Sequence, residues 1–173
     1  VTGALQHTGG TFINSGTLRL VDGSDIASVK GQVRLFSGSQ LAIARQDEVN
    51  IVANLQGQGN LLQQGEGITH LVGQNQQTGL VVIEKGKLAI DQDARLGQAD
   101  LIMDGGVLRY DAAFNNLRDI RLRANGGGLD TNGFDVSYQG QLIGKSQFIK
   151  DGLGTLTINN LLSVTQLAVK AGE

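Results

Sequence analysis

The sequence predicts an all-β fold: a parallel β-helix, or solenoid, of roughly eight coils with about 22 residues in each. Three observations point there. One phrase recurs along the chain: a few extended residues, a glycine turn, then Leu or Val alternating with polar residues. Its turn glycines, Gly16, Gly38, Gly65, Gly86, Gly105, Gly128, Gly152 and Gly172, cover 156 residues in seven steps. Finally, the 173 residues include 26 Gly but no Pro, whereas an average protein carries about 7% Gly and about 5% Pro.

The phrase opens as Thr11-Phe12-Ile13-Asn14-Ser15-Gly16-Thr17-Leu18-Arg19-Leu20 and returns around Gly38, Gly86 and Gly105. It closes as Phe148-Ile149-Lys150-Asp151-Gly152-Leu153-Gly154-Thr155-Leu156-Thr157-Ile158, with a truncated copy at Leu167–Gly172. Period-two alternation on both sides of each turn reads as strand, because successive side chains point to opposite faces. No sustained helical stripe occurs in any copy. A unit this short cannot bury its own apolar face, so it stacks on its neighbours. Propeller blades, at about 40–45 residues, are too long, and the leucine-rich phrase does not recur. Glycine suits positive-φ corners. Proline would delete a ladder N–H inside a stack paired on both edges.

Two stretches need their own reading. In Gln56–Gly65, Leu55, Gly57, Gly59 and Leu61 share one parity, which predicts a tight coil corner rather than a linker. From Tyr110 to Phe148 the pattern is less regular and holds five of the seven aromatics. Large rings crowd a narrow interior, so this segment is either a thickening, hairpin or cap, or an ordinary coil with a long loop at Asp111–Asp119. The expected division is stem coils at 1–109 and a C-terminal cap segment at 110–173.

Composition excludes several classes. Without Cys there is no disulfide framework or thiolate metal site. The formal charge of −2 gives no nucleic-acid or anionic-membrane signal. No apolar run is long enough to span a bilayer as a helix. A 40% hydrophobic content is enough for a core. Val1 is not an initiator Met, and the last copy stops in mid-pattern, so a piece of a longer protein is expected.

Lys150-Asp151-Gly152-Leu153-Gly154-Thr155-Leu156-Thr157-Ile158 resembles the phrase K-x-G-x-G-T-L-x-L of the passenger-associated repeats of bacterial type V autotransporters. Gln64-Gly65-Glu66-Gly67-Ile68-Thr69 is similar, with Gln for the usual Lys, and Gly128-Leu129-Asp130-Thr131-Asn132-Gly133 resembles the LDTNG rung that often precedes such a repeat. The resemblance implies a right-handed β-helix in a passenger exported by a Gram-negative bacterium. The passenger would cross the periplasm and reach the cell surface or medium through a C-terminal outer-membrane β-barrel. It implies a non-enzymatic stem and autochaperone segment of a virulence factor, partnered by the rest of the passenger and the barrel. The alternative is an adhesin-type module for host surface proteins, glycans or self-association. The lack of Cys and Pro suits export of an unfolded chain, which avoids premature cross-links and slow isomerisation.

A search for chemistry yields little, and no cofactor or metal is expected. His7 and His70 lack ligand-spaced partners. Asp91 and Asp93 could form the carboxyl pair of a glycan hydrolase, but solvated turn acids are the expectation. Gly126-Gly127-Gly128-Leu129-Asp130 fails the calcium nonapeptide at Leu129. Arg118, Arg121 and Arg123 form the one local basic cluster, a candidate patch for an anionic partner against the plainer reading of a solubilising stripe.

Overall fold

A computed structural model of the chain describes residues 3–4, 9–25, 31–160 and 162–172. Every strand pair among them is parallel. The chain winds as a right-handed parallel β-helix, the hand that right-twisted strands impose on parallel crossovers.

Each coil has three sides. One builds an eight-stranded sheet, running from Gly16–Val21 through Ser39–Ala44, Asn60–Gln63, Leu80–Ile83, Asp100–Met103, Ile120–Leu122 and Leu142–Ile143 to Leu162–Ser163. The next side builds a seven-stranded sheet from Val49–Ile51 to Gln166–Val169. The third side is sheet at both ends, with three strands at Thr11–Ile13, Gln32–Leu35 and Asn54–Gly57, and three from Asn115–Asn116 to Leu156–Ile158. Between them lie residues 72–79, without regular structure, and a 3-10 turn at Asp93–Leu96.

Eight strands in one sheet mean eight coils, as expected. The period is shorter than the glycines suggest. Leu18 pairs with Leu41, and the column continues through Leu61, Val81, Leu101, Ile120 and Leu142 to Leu162 in steps of 19 to 23 residues, most of them 19 or 20. The turn glycines do not share one corner. Gly38 precedes the eight-stranded sheet, Gly65, Gly86 and Gly105 follow it, and Gly152 and Gly172 follow the seven-stranded sheet. Gly128 is not a corner but lies within strand Gly127–Asp130; the positive-φ corner there is Gly126.

The core is a set of columns climbing the rod. Leu41, Leu61, Val81, Leu101, Ile120 and Leu142 make one, each no more than 1% exposed. Burying such a side chain contributes about 1.5–3 kcal/mol. Leu55, Gly59 and Leu61 line the inside as their parity requires, whereas Gly57 is half-buried at φ +98° against the Leu35 carbonyl. The aromatic segment is built of ordinary coils, and strand pairing runs through residue 110 without a break. Tyr110, Tyr138 and Phe148 are fully buried. The Tyr110 hydroxyl accepts from Asn116 Nδ2 at 2.8 Å, and that of Tyr138 donates towards the carbonyls of Gln141 (2.9 Å) and Arg118 (3.0 Å). The rings fit because their polar tips reach the corners, and burial pushes both phenols up.

Stacking leaves some corners no room for a side chain. A Cβ on Gly65 would collide with the Arg45 backbone, whereas one on Gly38 meets open space and only the strain of its positive φ. Gly65→Ala is expected to cost about 3 kcal/mol or more, and Gly38→Ala about 1–2 kcal/mol. Urea unfolding of the two variants checks the order.

Candidate functional site

A buried lysine closes the corner that carries the strongest repeat phrase. Lys150 lies in strand Gln147–Asp151, in the inward column Leu88, Leu108, Leu129, Lys150, and is 2% exposed. Its Nζ donates to the carbonyls of Gly152 (2.5 Å), Gly154 (2.7 Å) and Ala171 (2.7 Å). Three N–H donors thus meet three carbonyls, two in its own turn and one in the following coil. Burial pushes the ammonium's pKa down, against the pull of Asp130 and Asp151. The glycines are steric necessities, since a Cβ on Gly154 would strike the Phe134 carbonyl.

The same device recurs at a different corner. Gln63 is 1% exposed and stands in a column between Ile43 and Ile83. Its Nε2 donates to the carbonyls of Gly65 (2.9 Å) and Gly67 (3.4 Å), two and four residues on, as Lys150 does. Its Oε1 accepts from Thr69 Oγ1 at 2.6 Å. The glutamine that stands for the lysine is therefore Gln63, one residue before the segment the sequence comparison began with. A neutral amide supplies both donors and adds an acceptor.

The LDTNG rung locks onto the Lys150 corner from the coil before. Thr131 Oγ1 reaches the carbonyl of Leu153 at 2.6 Å and that of Asp151 at 3.3 Å. Asp130 Oδ1 accepts from the Asn132 N–H at 2.8 Å, holding Asn132 at φ +50°. On the outer face Lys87 Nζ contacts Asp130 (2.5 Å) and Asp151 (3.4 Å), two and three coils on. Gly128, in the next column position after Val107, leaves space on that path. Burial pushes the Asp151 carboxyl up, but the Gly152 N–H and Lys87 outweigh it and hold the group below its ordinary 3.8.

A second device stitches successive coils. Arg45, Arg95 and Arg118 are each gripped through two nitrogens by an aspartate, Asp47, Asp91 and Asp93 respectively. Each also donates to backbone carbonyls. Arg45 reaches Val21 (3.1 Å), Arg95 reaches Val72 (2.5 Å) and Gly73 (3.2 Å), and Arg118 reaches Gly97 (2.8 Å) and Ala99.

The basic cluster therefore separates. Arg118 is spent on Asp93 and the 3-10 turn, while Arg121 and Arg123 point outward on either side of buried Leu122. Asp91 and Asp93 face different arginines, not each other. His70 faces outward between Glu48 (2.7 Å) and Asp111 (2.5 Å), bridging coils. His7 lies outside the described residues, among which no group of three or more His, Asp or Glu could hold a metal ion.

A family model for the passenger-associated transport repeat matches residues 1–20 and 61–90. The second span holds the Gln63 corner; the Lys150 phrase lies outside both. Neither a curated protein nor a solved structure matches the sequence. The repeat and the fold both fit an autotransporter passenger.

If Lys150 acts as a carbonyl cap, Lys150→Gln keeps most of the stability, as Gln63 does in its own corner. Lys150→Leu strands carbonyls at about 1–3 kcal/mol each where they stay dry. A thermal melt of the Leu variant at or above that of the Gln variant contradicts the cap. For Asp151 the lowered folded pKa sets the sign: its contribution is complete above 3.8 and is lost as pH falls below that value. Asp151→Asn is expected to flatten this part of the acid-unfolding curve.

Proposed function

We propose that the chain is a β-helical stretch of the stem of an autotransporter passenger, and that its C-terminal coils template folding and surface display. The observation that carries this is the Lys150 corner, where one side chain ties its own glycine turn, at Gly152 and Gly154, to the following coil at Ala171. A coil cannot bury its apolar columns alone, so folding needs a first stable rung onto which others add. Interlocked with the LDTNG rung and Lys87, this corner supplies one. In this reading residues 1–109 are stem, and residues 110–173 fold first.

The match to a transport-associated repeat supports export, with the folded stem at the bacterial surface or released from it. Its partners are the remaining passenger and an outer-membrane β-barrel translocator, and the whole passenger serves as a virulence factor. The role is mechanical, not catalytic. Asp91, Asp93, Arg95 and Arg118, the carboxylates and arginines around the 3-10 turn, are engaged in joining coils.

Deleting Asp111–Ile158 from the full-length secreted protein tests this. Surface display should fall, and what reaches the surface should be protease-sensitive. Normal display of a protease-resistant passenger contradicts the template role.

A further inference from the structure

On the third side of the first coils, the outward positions carry amides, hydroxyls and aromatic rings. Residues 10–14, 32–36, 54–58 and 74–78 contain no Asp or Glu. Phe12 pairs in register with Arg34, and Arg34 with Gln56. The Gln76 N–H donates to the carbonyl of Leu55, carrying the column one rung further. Rungs rise by about 4.8 Å. Beside this column Phe36 lies under Arg34, whose guanidinium carbon is 5.2 Å from the ring centroid.

Two features set this face apart. Phe12 is 59% and Phe36 39% exposed, although the interior has accepted Tyr110, Tyr138 and Phe148. Arg34, like Arg121 and Arg123, has no acidic partner among the described residues, whereas Arg45, Arg95, Arg109 and Arg118 each have one; of those three, it is Arg34 that lies over an aromatic ring. A depression of about 310 Å³ beside it is lined by Arg34, Phe36, Ser37, Gly57 and Gln58.

We propose that this face binds an extended acidic carbohydrate chain. The C–H faces of pyranose rings stack on Phe12 and Phe36. Amides such as Gln56, Gln58 and Gln76 both donate to and accept from hydroxyls. The Arg34 fork takes a carboxylate or sulfate on the sugar. A nucleic acid would require several phosphate-binding cations, and among the described residues this face has one. The site lies apart from the Lys150 corner and goes beyond a scaffold role.

The test is calorimetric titration of the 173-residue chain with oligogalacturonate, a sulfated heparin oligosaccharide and a neutral malto-oligosaccharide. At least one acidic chain is expected to bind more tightly than the neutral one, and the two acidic arms distinguish carboxylate from sulfate. Phe12→Ala/Phe36→Ala should weaken binding about tenfold or more, as truncation of aromatic anchors does. Arg34→Ala should reduce the acidic chain to the neutral level. Lys85→Ala, at the exposed corner between Leu80–Ile83 and Lys87–Ile90, should change nothing, and all variants should melt as folded proteins. No binding of any acidic chain, tighter binding of the neutral one, undiminished binding by the Phe or Arg34 variants, or an equal loss in Lys85→Ala overturns the proposal.

Discussion

Everything in this molecule follows from one constraint: the strand backbones hydrogen-bond to the coils before and after them, about 4.8 Å away. A residue that faces inward in one coil is therefore covered by its counterparts in the next. This is why the column from Leu41 to Leu142 is aliphatic at every rung. It is also why a corner glycine such as Gly65 cannot carry a Cβ: the preceding coil's backbone already fills that space.

Stacking satisfies strands but not corners, where carbonyls turn away from the ladder. A buried unpaired carbonyl is costly, and the chain answers it in two ways. Inside, Lys150 and Gln63 cap the carbonyls of their own glycine turns. Towards the outside, arginines held by aspartates reach the carbonyls of adjoining turns. Charged residues that would be ornamental on another surface thus become joints between coils. The joint from Lys87 to Asp130 and Asp151 reaches two and three coils on.

The strands and inward columns were legible because period-two alternation reports a local property. The coil length was not. Three corners per coil can each take glycine, so counting glycines mixed Gly38, Gly65 and Gly152, which occupy three different corners. Ring size alone does not show that the aromatic segment is regular, because Asn116 and Gln141, which meet the hydroxyls of Tyr110 and Tyr138, are placed only by the fold. The partner of Arg118, Asp93, lies 25 residues away and is not legible from the local sequence. Contacts one coil apart depend on register, and steps that vary between 19 and 23 residues do not announce it. The lysine phrase was visible as a motif, but what it does, holding three carbonyls at once, required the fold.

Coils are joined one to the next through ladders and capped corners, so that stability is local along the rod. Native-state hydrogen exchange on the Lys150→Leu variant measures this directly. Protection should be lost in Gly127–Asp130, Gln147–Asp151 and Gln166–Val169, with Ser39–Ala44 and Asn60–Gln63 keeping theirs. Equal loss along the whole chain, or unchanged protection around residue 150, would contradict it.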